Sequence, residues 1–188
     1  VSSITPGPNN MMLLASGANF GFRRTLPHML GVSLGHTFMV ILVGLGLAGL
    51  FTTYPIARQA LTVVSVIYLL YLAWKIANAA PPEDAAQTSN PFTFVQAAAF
   101  QWVNPKAWVM AVTAQTIYAP PNAGLLGVFL VAIAFMCMNF PAVGLWAGLG
   151  VQVRKLLSNR MRLRLFNWTM ATLLVLSLYP ILFASAIK

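Results

Sequence analysis

The sequence predicts an all-α polytopic membrane protein with six transmembrane helices in a 3+3 inverted repeat, helices 1 and 4 being broken. Three observations carry that expectation. Of the 188 residues, 59% are hydrophobic and 7% charged, where a soluble domain carries roughly 25% charge. The apolar residues fall into six runs, each near the ~20 residues a helix needs to cross hydrocarbon. Two helix-breaking motifs, Thr5-Pro6-Gly7-Pro8-Asn9-Asn10 and Gln101-Trp102-Val103-Asn104-Pro105-Lys106, sit inside such runs about half a chain apart.

The first run extends from Val1 to about Phe22 and is interrupted near its start. The second, Gly31 to Phe51, carries no formal charge. The third, about Ala57 to Ala79, has Arg58 and Lys75 near its ends, where their stems can reach the headgroups. The fourth, about Phe94 to Tyr118, encloses Lys106. The fifth, Leu125 to Gly150, holds Asn139 and Pro141 as a third candidate break, and the sixth spans Leu165 to Ile187. Turn-type segments at Gly17 to Gly21, Tyr54-Pro55 and Ala119 to Asn122 separate the runs. The longest polar stretch, Pro81 to Pro91, holds Glu83 and Asp84, the only acids. The midpoint of the chain falls there, so residues 1–188 read as one transmembrane domain with halves at about 1–80 and 92–188. Long apolar runs, and not alternating ~10-residue segments, argue against a β-barrel. Val1 opens directly on an apolar run, so the natural chain is expected to begin upstream, and a signal peptide cannot be judged.

Charge sets the orientation. Arg23, Arg24, Lys75, Arg154, Lys155, Arg160, Arg162 and Arg164 fall on one side of a six-span layout, and Arg58 and Lys188 on the other. By the positive-inside rule the first side is cytoplasmic and both termini face outward. Three spans per half make the second half enter with inverted topology. The net charge of +9 is accounted for by these segments, with no nucleic-acid partner. The basic stretch between the last two runs also suits anionic lipid. Cys137 is the single cysteine, which excludes an intramolecular disulfide and a two-thiol redox relay.

The two motifs carry the chemistry. Backbone polar groups find no partner in hydrocarbon, so a break there must be buried in protein or line a wet cavity. Paired breaks in corresponding places of two halves point to a transporter's substrate site at the bilayer midplane. Pro6 and Pro8 remove donors, and Gly7 permits unusual dihedrals. The helix should therefore restart near Asn9 with unpaired N–H groups, which attract carboxylates. Asn104 is a good N-cap, Pro105 suits the first helical position, and Lys106 falls in the first turn. An intramembrane lysine marks either a functional site or a lock held by carbonyls freed at the other break. The candidate substrate-binding set is Pro6, Gly7, Pro8, Asn9, Asn10, Gln101, Asn104, Pro105, Lys106 and Asn139.

Other polar residues are weaker signals. Asn139 suits an interhelical hydrogen bond as well as a site. His36 can titrate near neutral pH, but a packing histidine is the commoner case. His28, read as lying near a membrane surface, says less. Gly31-xxx-Gly35 and Gly144-xxx-Gly148 allow close helix approach. Trp102 and Trp108 flank the second break and suit core packing at least as well as ligand contact. No acid falls in any run, which removes a carboxylate proton relay and a carboxylate metal site. No metal-ligand cluster, phosphate-binding loop or nucleophile–base–orienter set is visible, so no metal, cofactor or enzymatic activity is expected.

At these residues the sequence resembles the LysE/RhtB family of bacterial amino-acid exporters. The resemblance rests on Thr5 to Asn10, Gly21-Phe22-Arg23, Gly31 and Gly35, Tyr71-Leu72-Ala73-Trp74-Lys75-Ile76 and Phe100 to Lys106. It covers the first ~110 residues in detail, and beyond them mainly in hydropathy and length. The Asn9-Asn10 pair and the Tyr71 to Ile76 string look most like the branch exporting cysteine and O-acetylserine. The resemblance implies secondary-active efflux across the bacterial inner membrane, often driven by proton-motive force. A coupling acid is absent from the runs, so proton coupling and a homodimer both stay open. The expectation is efflux of small neutral amino acids or close derivatives, such as cysteine, O-acetylserine, threonine, homoserine or leucine. A membrane scaffold protein and an exporter of basic amino acids are the alternatives.

Overall fold

A computed structural model of the protein describes residues 3–79, 90–120, 122–157 and 159–179. Among these residues there are eight helices and no strand. They are α1 Pro8–Phe20, α2 Phe22–Gly44, α3 Leu47–Thr53, α4 Pro55–Ala77, α5 Phe94–Val103, α6 Pro105–Tyr118, α7 Gly124–Leu156 and α8 Arg160–Leu176. Three segments, Phe22–Gly44, Gln59–Ala77 and Gly124–Leu156, are long and apolar enough to cross a membrane. The 13 residues of α1 rise about 20 Å, well short of ~30 Å of hydrocarbon.

Both sequence-predicted interruptions are present. The first run becomes helical only at Pro8, and the fourth divides into α5 and α6 at Asn104. Each restarted helix has proline at its first turn, where no donor is lost, and an N-cap in extended backbone. The third candidate break is absent. α7 runs 33 residues straight through Pro141; a proline costs a helix one hydrogen bond, which neighbouring groups in a membrane bundle can offset.

Helix ends differ from the sequence reading in a consistent way. Gly17 to Phe20 are helical and the corner is Gly21 alone, at φ +79, a conformation that suits glycine. Arg23 and Arg24 belong to the first turn of α2, Arg154 and Lys155 to the last turn of α7, and Arg160, Arg162 and Arg164 to α8. Hydropathy ends a span at the first cation, whereas basic stems carry the helix on toward water. Cations at the end of α7 also face a favourable helix dipole. A methyl on Gly21 would lie 3.7 Å from Arg154 Nη1, so the end of α7 meets the α1–α2 corner beside Arg23 and Arg24. The second run ends earlier than expected: α2 stops at Gly44 and α3 follows as a separate helix of seven residues. Glu83, Asp84 and the end of the sixth run fall outside the described residues.

The exterior is apolar, with Ile67 63% and Met138 72% exposed. Inside, α1, α4, α5 and α8 bury Met12, Leu72, Phe100 and Leu174, while α2, α6 and α7 bury Met39, Ala111 and Val131. Lipid tails give apolar side chains no reason to prefer protein, so contact depends on small residues and van der Waals fit. A methyl on Gly31 would strike the Phe94 carbonyl, and one on Gly35 would stand 2.7 Å from Ala98 Cα; α2 and α5 thus cross backbone to backbone. On α7 the expected Gly144/Gly148 pair is not the contact. Gly148 has nothing within 4 Å, whereas a methyl on Gly150 would strike the Leu14 carbonyl of α1. The contact face of α7 is the one carrying Ala147 and Gly150, three residues apart as helical spacing requires.

These two glycines give the packing a direct test. Gly150→Ala is expected to destabilise the protein by about 1–3 kcal/mol, the usual cost of overpacking. Gly148→Ala is expected to be neutral or stabilising by up to ~1 kcal/mol through helix propensity. Thermal unfolding in detergent reads both, and a loss confined to Gly148→Ala would place the helix face wrongly.

Candidate functional site

The site follows from how the two breaks satisfy their freed backbone groups. Proline at position 105 has no N–H, so the end of α5 is left with carbonyls to partner. Trp108 Nε1 donates to the Trp102 carbonyl at 2.7 Å. Asn104 caps α6, its Oδ1 accepting from Lys106 N at 3.1 Å, while its carbonyl accepts from Ala107 N and Trp108 N. The start of α6 is therefore largely satisfied from within.

The first break is held from outside. Lys106 Nζ donates to Thr5 O at 2.9 Å, Thr5 Oγ1 at 2.7 Å and Pro6 O at 3.2 Å. An ammonium has three protons, and all three have acceptors on the segment before α1. Hydrogen bonds to a charged group stabilise by roughly 1.5–3 kcal/mol each. Asn10 Nδ2 folds back onto Ser3 O and Thr5 O at 2.9 and 2.8 Å, and Trp146 Nε1 reaches Ile4 O at 3.0 Å.

A second tie lies beside the first. Asn9 Nδ2 donates to Gln101 Oε1 at 2.8 Å, and Gln101 Nε2 donates back to Asn9 Oδ1 at 3.0 Å. Gln101 is 0% exposed and also donates to Ala97 O at 2.9 Å. This reciprocal amide pair and the Lys106 contact join residues about a hundred positions apart in sequence. In this structure Lys106 is the lock between the breaks. The ammonium fits closely: a methyl on Gly7 would stand 2.8 Å from Lys106 Cδ.

A small cavity of about 20 Å³ lies against this junction, room for roughly one water. Six of the predicted residues line it: Gly7, Asn9, Asn10, Asn104, Lys106 and Asn139. Four do not. Gln101 stands behind Asn9, Pro6 contributes a carbonyl to Lys106, and Pro8 and Pro105 act through the backbone. The wall also takes in His36 from α2, with Met110 and Val143.

The polar groups divide by their commitments. Asn9, Gln101 and Asn10 spend their amides on one another or on backbone. His36 Nε2, by contrast, is buried and has no hydrogen-bond partner among the described residues, its ring 5.5 Å from Phe135. Asn139 is 6% exposed, and among the described residues no hydrogen bond engages its amide. These two side chains have polar capacity left for a ligand.

Sequence reading missed the indole bonds of Trp108 and Trp146, which no spacing announces. It also missed the Asn19–Asn167 pair, in which each Nδ2 donates to the other's Oδ1 at 2.7 and 3.0 Å. An asparagine near the end of the first apolar run and another near the start of the sixth were the available signal. His28 is fully buried in the protein, its ring 5.1 Å from that of Phe92.

With this geometry established, residues 1–179 match the family described as LysE type translocator. The chain belongs to that family. It is a family of transporters and not of enzymes. A cysteine/O-acetylserine efflux protein of Escherichia coli O1:K1 / APEC is 32% identical over 177 residues, covering 93% of this chain and 89% of the relative. Proteins of the same name from Escherichia coli strain K12 and Shigella flexneri serotype 5b (strain 8401) are each 31% identical with the same coverage. No solved structure matches the chain significantly.

The lock makes a prediction for stability. Lys106→Met keeps the stem but removes the ammonium hydrogen bonds to Thr5 O, Thr5 Oγ1 and Pro6 O, while Asn10 Nδ2 still donates to Thr5 O; the net loss expected is about 1–3 kcal/mol. The variant should unfold at lower temperature in detergent, and Thr5→Cys should label faster in its presence. An unchanged melting temperature together with unchanged Thr5→Cys labelling would show that the lysine holds nothing in place.

Proposed function

We propose that the protein is a secondary-active exporter of small neutral amino acids or close derivatives in the bacterial inner membrane. Residues 1–188 form one transporter domain of six spans, built as inverted repeats over about 1–80 and 92–188. Both termini lie outside. The supporting observation is that the two helix breaks, one from each half, meet beside a small cavity with polar side chains on its wall and are tied together there. Transporters built from repeats bind substrate where discontinuous helices of the two halves meet. The names of the relatives point to cysteine and O-acetylserine as the first substrates to try.

The cavity at ~20 Å³ holds about one water, far less than an amino acid needs. On this reading the structure is a contracted state. Substrate enters as the Lys106 and Asn9–Gln101 contacts loosen, and rocking of the halves exposes the cavity to either side. Lys106 then turns from the Thr5 and Pro6 oxygens to the substrate carboxylate. His36 and Asn139 supply the polar contacts that are unspent in the contracted state. Proton coupling through this cavity must use His36 or Lys106, the titratable side chains on its described wall.

Charge selects the substrate. Lys106 puts a cation on the wall, and among the described residues there is no carboxylate to receive a basic side chain. Leaving such a charge unpaired in a low-dielectric site is costly.

Counterflow in proteoliposomes tests the proposal. Cysteine, O-acetylserine, threonine and leucine should exchange and compete, while lysine and arginine should compete weakly. Asn139→Ala and His36→Ala should each lower uptake by about tenfold, the loss of one good hydrogen bond to a charged or polar substrate group, with melting temperatures near wild type. Preferential competition by basic amino acids would reverse the charge argument. Absence of exchange with every amino acid in a well-folded preparation would leave a scaffold role.

A further inference from the structure

A second cavity, of about 210 Å³, opens at the other end of α1. It is roughly ten times larger than the first and has room for about seven waters at ~30 Å³ each, the scale of a small amino acid. Its described wall includes Ser16 and Asn19 of α1, Tyr71, Trp74 and Lys75 of α4, and Phe92. Three of these belong to the Tyr71 to Ile76 string, which the cavity between the breaks leaves without a role.

Lys75 is presented with care. Its Nζ donates to Gln96 Oε1 at 3.0 Å, lies 3.5 Å from Pro91 O and stands 4.6 Å over the Phe92 ring. Gln96 is itself fixed: its Oε1 accepts from Thr93 N at 3.1 Å, its Nε2 donates to the Tyr71 hydroxyl at 3.2 Å, and its carbonyl accepts from Tyr68 OH at 2.9 Å. Every one of these partners is neutral, so among the described residues the positive charge is oriented without meeting an opposite charge. Tyr71, accepting from Gln96, keeps its own proton to give. Its ring lies stacked on Trp74, at 6.5 Å and 26°, and Trp74 is largely exposed. A cation and a hydroxyl donor beside an aromatic face suit the carboxylate and the α-ammonium of one zwitterion, the latter through its attraction to the ring face.

We propose that this cavity is the cytoplasmic loading site, where an amino acid docks by its carboxylate on Lys75 before it reaches the cavity between the breaks. The inference rests on the exporter reading and on the orientation that places Arg23, Arg24 and Arg154, at this same end, in the cytoplasm. α1 links the two cavities, its N-terminal end at the first and its Ser16 to Phe20 end at the second.

Cysteine protection and transport kinetics test it separately. Asn78, which also lines the cavity, is replaced by Cys in a Cys137→Ala background, since Cys137 is exposed. Maleimide labelling of reconstituted protein is followed with O-acetylserine or its methyl ester present, and Met161→Cys serves as a control outside the cavity. O-acetylserine should slow labelling at position 78 by about tenfold, the methyl ester by much less, and neither should affect position 161. Lys75→Gln should raise KM for counterflow about tenfold, as loss of a hydrogen bond to a charged group implies, with kcat nearly unchanged; Lys75→Arg should recover most of it. Transport with no protection at position 78, or equal protection by the ester, overturns the loading site while leaving the exporter reading intact. Protection without transport leaves an amino-acid-binding cavity but overturns its loading role together with the exporter reading.

Discussion

Lys106 gives all three ammonium protons to oxygens of Thr5 and Pro6, and the rest of the fold is arranged around that contact. A proline-glycine-proline segment cannot satisfy its own backbone, and lipid cannot do it instead. A lysine inside the bilayer is costly unless acceptors surround it. Each of these features is unfavourable alone, and together they cancel. The neighbouring Asn9–Gln101 pair repeats the logic with neutral amides. The crossing of α1 on α7 at Gly17 and Gly150, and of α2 on α5 at Gly31 and Gly35, brings the breaks close enough to meet.

The two cavities give this arrangement a direction. At the lock the cavity is about 20 Å³, while at the far end of α1 it is about 210 Å³. Committed polar groups hold the two breaks together. Uncommitted ones among the described residues, His36 and Asn139 at the first cavity, are where a ligand would find partners, while Lys75 at the second is held by Gln96 and Phe92. Exchange of contacts within the chain for contacts to substrate is a two-state device of the kind that alternating access needs.

Much of this was legible in the sequence, for physical reasons. Pro6, Pro8 and Pro105 declare the breaks because proline lacks a donor, and Asn104 declares the restart because asparagine caps helices. Lys106 was legible as either ligand or lock, and its three hydrogen bonds tie it to the segment before α1 in this structure. Pro141 misled because a proline stops a helix only when nothing nearby offsets the lost bond. Arg154 and Lys155 misled because hydropathy measures the apolar core and not the helix, so α7 was read six residues short. Gly148 misled because the spacing of small residues gives a stripe but not the side of the helix it faces. His36, Trp108 and Trp146 take their roles from neighbours remote in sequence, which no local pattern encodes.

The central claim is that the two breaks are energetically one unit, and a double-mutant cycle across them measures it most directly. Asn9→Ala, Gln101→Ala and the double variant would be unfolded in the same detergent. Residues in one hydrogen-bond network show coupling energies of about 0.5–3 kcal/mol, whereas independent sites add within ~0.5 kcal/mol. Coupling above ~0.5 kcal/mol, with the double variant little worse than either single one, is the predicted result. Simple additivity would mean that the breaks are separate kinks that merely lie side by side.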